Sequence, residues 1–114
     1  MRAITICALI ALAAFPAHAE SWHEVGKQGV MHFVVVDPAA RDNQDVYRSA
    51  IAELCKGASI CQVHFWSSDE LAPHHLPMND VQAGSQLAIW QYNSNTGRRS
   101  LRWRCDIAKA PDCL

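Results

Sequence analysis

Four arginines fall within a short stretch near the C-terminus, Arg98, Arg99, Arg102 and Arg104. A guanidinium is always charged and presents a planar fork of donors matched to carboxylate or phosphate. A cluster of them predicts an anion-binding ridge. The same residues have a plainer use on an edge strand, where exposed charge keeps one sheet from pairing with another. The surrounding sequence sets them apart: Glu20 to Gly97 holds four Lys and Arg against nine Asp and Glu, whereas Arg98 to Lys109 holds five against one.

The cysteines offer structural rather than catalytic chemistry. Cys55 and Cys61, and Cys105 and Cys113, lack the C-x2-C spacing typical of redox and zinc sites. An even number in an oxidising compartment predicts two disulfides. Of the three possible connectivities, proximity in sequence favours Cys55 with Cys61 and Cys105 with Cys113. Closing loops of this size is worth about 2.5 kcal/mol each on a chain-entropy model.

The histidines are the other candidates. His74 and His75 sit between Pro73 and Pro77, near Met78, and imidazole with thioether suits copper. Adjacent residues on a strained loop rarely reach one ion together, so this loop is read as solvated, with no metal and no cofactor. His64 precedes Trp66 on a strand-like run, but no G-x-S-x-G elbow, H-E-x-x-H helix or phosphate-cradling glycine loop accompanies it. No catalytic residue is assigned. The tryptophans, Trp22, Trp66, Trp90 and Trp103, are dispersed and are read as core, since large rings give a small domain its apolar area.

The N-terminus sets the compartment. Arg2, an apolar run from Ala3 to Phe15, Pro16 and Ala17-His18-Ala19 make a secretory signal peptide over residues 1–19, cut after Ala19. Residues 20–114 then form one small secreted or periplasmic domain with nine Lys and Arg against eleven Asp and Glu. No other stretch approaches the ~20 apolar residues of a membrane-spanning helix. An acidic chain outside the cytoplasm is a poor match for nucleic acid.

The elements that must position these residues follow from periodicity. Val30 to Val36 reads as a strand, stopped by Asp37-Pro38. Asp42 reads as the cap of a helix whose stripe is Val46, Tyr47, Ala50, Ile51, Leu54 and Cys55, ending at Gly57. Ile60 to Trp66 alternates as a second strand. Asn79 and Gln82 form a capping-box pattern, and the Ala, Gln and Leu content behind it favours a helix over 79–92. The rival reading is a strand over 86–92 and a hairpin through Ser94 to Gly97. Arg98 to Cys105 alternates as the last strand, while Ser21 to Gly29 supports no more than a short strand or ordered arm. The expected fold is α+β, β-α-β-α-β, with a three- or four-stranded sheet and two helices.

Cys61 to Ser67, Leu76 to Gln82, Tyr92 to Gly97, Leu101 to Cys105 and the final Cys-Leu resemble a group of short secreted bacterial proteins of unknown function. The resemblance spans about Ile51 to Leu114, implies a helix over Asn79 to Tyr92, and brings no activity with it. The expected function is a non-enzymatic binding or inhibitory module acting on an anionic partner of the envelope or extracellular space. The alternative is a small metal-handling or hydrolase-like envelope protein using His64, His74 and His75.

Overall fold

In the computed structural model, residues 21–114 are described; the signal peptide read over residues 1–19 lies outside them. β1 (Trp22–Gln28) and β2 (Met31–Val36) form an antiparallel hairpin. Gly29, at its turn, has φ 59°, a left-handed conformation open to glycine at little cost. A 3-10 turn over Pro38–Ala40 follows and leads into α1 (Gln44–Leu54). The cap is Asn43, whose side chain accepts from the Asp45 N–H at 3.2 Å; the expected cap, Asp42, instead pairs with Arg41 at 3.0 Å. The 3-10 turn precedes the helix, and Asn43, with extended backbone, is the residue that enters it.

From α1 the Cys55–Cys61 disulfide, with Cα atoms 5.7 Å apart, ties the helix end to β3 (Ile60–Trp66). β3 runs parallel to β2, so the helix is the crossover of a β-α-β unit. A long loop and α2 (Asp80–Gly84) lead to β4 (Ala88–Asn93) and β5 (Arg98–Trp103), a hairpin antiparallel to β3. Spatial order follows chain order, β1-β2-β3-β4-β5. Cys105–Cys113 closes the C-terminal tail, Cα to Cα 5.0 Å. Both disulfides are the pairs expected from sequence.

The fold is α+β with two helices, as expected, but the sheet has five strands rather than three or four. One extra strand is β1, whose alternation is broken by a bulge between Glu24 and Gly26. The other comes from residues expected to continue a helix to Tyr92. The capping box is real: the Asn79 side chain accepts from Gln82 N–H at 2.8 Å, and Gln82 Oε1 accepts from Asn79 N–H at 2.9 Å. It starts only five helical residues. Beyond them β3 and β5 both need a partner, and ladders on two sides of β4 outweigh local helix preference.

The centre of the sheet, β2 and β3, is buried on both faces. On one, α1 packs Tyr47 and Ala50 against Val34, Val36, Val63 and Phe65. The Tyr47 hydroxyl donates to the Arg41 carbonyl at 2.6 Å, and burial pushes its pKa up to about 12. On the other, Phe33, Val35 and Trp66 lie under Ala72, Leu71, Leu76 and Met78 of the loop between β3 and α2.

Candidate binding groove

One helix cannot cover five strands. Strands about 4.8 Å apart make a sheet roughly 19 Å across between its outer axes, whereas a helix with side chains is about 10–12 Å wide. α1 lies closest to β1 and β2, with Tyr47 reaching Phe65 of β3 at 4.9 Å between ring centroids, and the β4–β5 end projects beyond it. The result is a groove of about 520 Å³ lined by Arg48, Ile51, Ala52, Trp90, Arg99, Leu101 and Trp103. A shallower extension of about 210 Å³ continues past Cys55 and Tyr92.

Periodicity brings these side chains together. Arg48, Ile51, Ala52 and Cys55 recur at three and four residues along one side of α1. Arg99, Leu101 and Trp103 alternate along β5 and face the partners of their own rows, Tyr92, Trp90 and Ala88. Tyr92 and Trp90 are nearly parallel, with centroids 6.4 Å apart. The apolar floor is thus two indoles, Leu101 and Ile51. The Trp90 Nε1–H is shut off from solvent without a partner among the described residues.

Cations border this floor. The Arg48 guanidinium lies 5.8 Å from the Trp103 ring centroid, and that of Arg99 lies 5.8 Å from the Trp90 centroid. Arg48 also reaches Gln44 Oε1 at 3.2 Å and Asp45 Oδ1 at 3.7 Å. Among the described residues, no acidic side chain is within ion-pair distance of Arg99, and none lines the groove. An apolar body with a carboxylate or phosphate fits this combination: the rings take the body, and the two guanidiniums take the charge.

The four arginines expected to act as one ridge are divided by the pleat. Arg99 faces the groove. Arg98 lines a polar depression on the opposite face with Ile60, Gln62, Gln91 and Asn93. Arg102 donates from Nε to the Asp112 carbonyl at 3.0 Å. Arg104 lies past the strand end, 3.6 Å from Asp106 and 3.4 Å from the Gly84 carbonyl. Asp106 also receives Arg41 at 2.6 Å, and that hydrogen bond holds its pKa below the usual carboxylate range. Arg48 is absent from the expected ridge because it lies outside the apolar stripe Val46, Tyr47, Ala50, Ile51, Leu54 and Cys55 by which the helix is recognised. Its position one turn before Ile51 and Ala52 was the available signal.

The histidines occupy different settings. His64 is buried on the face opposite α1, between Phe33 and Trp66, with Nδ1 2.5 Å from Gln86 Oε1. Burial pushes its pKa below the ordinary 6.5, against the Gln86 hydrogen bond. His74 and His75 are exposed on the loop. His32 is buried beside Glu24, Nδ1 to Oε2 2.6 Å. Among the described residues, no group of three or more His, Cys, Asp or Glu is placed to hold a metal ion.

The His64 shift fixes a sign for acid sensitivity. With a folded pKa below 6.5, the unfolded chain takes up a proton first as pH falls, so stability present above about 6.5 declines through the lower folded value. His64→Gln is expected to lose this part of the dependence. Melting temperatures measured from pH 7.5 to about 4.5 for both proteins should converge on acidification; parallel curves would show that His64 titrates alike in both states.

Among the described residues no helix is long and apolar enough to cross a membrane. Comparison with protein-family models, curated proteins and solved structures finds no match for this chain.

Proposed function

We propose that the protein is a non-enzymatic, secreted or periplasmic binding or inhibitory module whose working surface is the groove between α1 and the β4–β5 hairpin. The partner presents an apolar group bearing a carboxylate or phosphate. One observation carries this reading: Arg48 and Arg99 each lie across a tryptophan at an apolar groove with no acidic lining residue. A volume near 520 Å³ falls within the usual range of about 300–1,000 Å³ for small-molecule sites. The two disulfides agree with an oxidising compartment.

The test uses anilinonaphthalene sulfonate as an apolar anion and its uncharged parent amine as control. The anion is expected to bind with a change in tryptophan fluorescence, more weakly as salt rises. Arg48→Gln with Arg99→Gln is expected to cut its affinity by about tenfold or more while moving stability by less than about 1 kcal/mol, since both side chains are largely exposed. Equal binding of the two compounds, or no effect of the double substitution, would refute the groove as an anion site.

A further inference from the structure

The outer edge of β5 is closed at one end only. Leu114 N–H donates to the Trp103 carbonyl at 2.8 Å, and the Leu114 carbonyl accepts from Cys105 N–H at 3.4 Å. The Cys105–Cys113 disulfide and the Arg102 bond to Asp112 hold this tail in place. These bonds also orient the main chain of the strand. Arg104 N–H points inward, to the Leu87 carbonyl at 2.8 Å, while the Trp103 carbonyl points outward. Successive residues of an antiparallel strand alternate in the side to which their main-chain groups turn. Arg99 and Leu101 therefore direct N–H and C=O outward, and no hydrogen bond reaches them there among the described residues. The side chains of the same two residues line the groove.

We propose that this open edge takes an extended acidic segment of a partner polypeptide as an added strand. The proposal rests on the groove reading and names its partner. An added strand places alternate side chains over the groove, where apolar ones meet Leu101 and Trp103 and an acidic one meets Arg48 and Arg99. The intervening side chains fall on the opposite face beside Arg98 and Arg102. Main-chain bonds give such a contact its affinity and the alternating pockets its selectivity.

Charge decides the occupant. A second copy pairing through its own β5 would set arginines against arginines, and like charges across a ladder are destabilising. An acidic segment places opposite charges at the same positions. The arginines that discourage self-pairing thus select an acidic strand, and the disulfide-held tail limits pairing to the end of the edge where Arg98 and Arg99 stand.

The probe is a blocked peptide, Glu-Leu-Glu-Glu-Glu-Leu-Glu, whose sequence reads the same in both directions. On binding, amide exchange at Arg99 and Leu101 is expected to slow by about tenfold or more, with little change at Ser100, whose main chain already faces β4. N-methylation of one alternate set of peptide amides is expected to weaken binding by about tenfold or more, while methylation of the other set has little effect. Binding that both methylated sets weaken equally, or unchanged exchange at Arg99 and Leu101, overturns strand addition. Failure of the peptide while the sulfonate probe still binds overturns it and leaves the groove reading intact; failure of both removes the groove reading as well.

Discussion

Replacing Trp66 with Ala is expected to cost about 3–5 kcal/mol, the range for deleting a large buried ring. Trp66 is fully buried at the end of β3, edge-on to Phe33 with centroids 6.0 Å apart. It packs in the cluster that includes Ala72, and its Nε1–H donates to the Gln82 carbonyl at 2.7 Å. The substitution therefore opens a cavity under the loop and removes the shorter of two hydrogen bonds to the Gln82 carbonyl, which keeps the Ser85 N–H at 3.3 Å. A domain of this size has a total stability of roughly 5–14 kcal/mol, so the melting temperature should fall by about 15–30 °C. Trp103→Ala makes the comparison: Trp103 is only partly buried at the groove, and its loss should cost less. Urea unfolding of both variants checks the order. A Trp66→Ala protein within about 1 kcal/mol of wild type would mean that the loop does not pack on this face of the sheet.

The position of Trp66 was legible from sequence, but its surroundings were not. Alternation placed it with Gln62 and His64, opposite Cys61, Val63 and Phe65, and the strand is found over those residues. Its two neighbours on that face, Gln62 and His64, are polar and say nothing of a cover. Its burial comes from the irregular loop that follows β3, through Leu71, Ala72, Leu76 and Met78, and no local period encodes such a cover. The α1 stripe was legible for the opposite reason, because a helix advertises its buried side through spacing within itself: Tyr47 and Ala50 are buried, and Val46, Ile51, Leu54 and Cys55 pack against the same core.

β4 and the groove mark where local reading stops. Ala88, Trp90 and Tyr92 alternate with Ile89 and Gln91, yet a capping box and good helix formers precede them, and only pairing with β3 and β5 decides between the two periods. The arginine cluster was visible as composition, whereas its division was contained in the same alternation that placed Leu101 and Trp103 on one side. Arg99 shares that side. Its companion Arg48 belongs to a helix some fifty positions earlier, and the two meet at one groove only because the crossover of α1 and the order of five strands bring that face of the helix to β5.

Gly26→Ala is the second substitution expected to have a large effect, about 2–3 kcal/mol, and it tests the loop cover from the other edge of the sheet. A Cβ on Gly26 would lie 2.3 Å from the His74 carbonyl oxygen and 2.8 Å from its carbonyl carbon and Cα. These are main-chain atoms, so no rotamer change relieves the clash; either β1 or the loop must move. The bulge between Glu24 and Gly26 has already bent β1 here. The loop is pinned beside it, since Leu76 N–H donates to Gln28 Oε1 at 2.6 Å and Pro73 is buried. The expected result is a lower urea midpoint, with faster amide exchange at Leu76 and in the loop ahead of any change in the β4–β5 hairpin. Gly84→Ala is the control, because a Cβ there meets nothing within 4 Å and should be neutral or stabilising by up to about 1 kcal/mol. If both variants unfold at the wild-type midpoint, the close approach of His74 to β1 does not hold in solution, and the second core must be covered in another way.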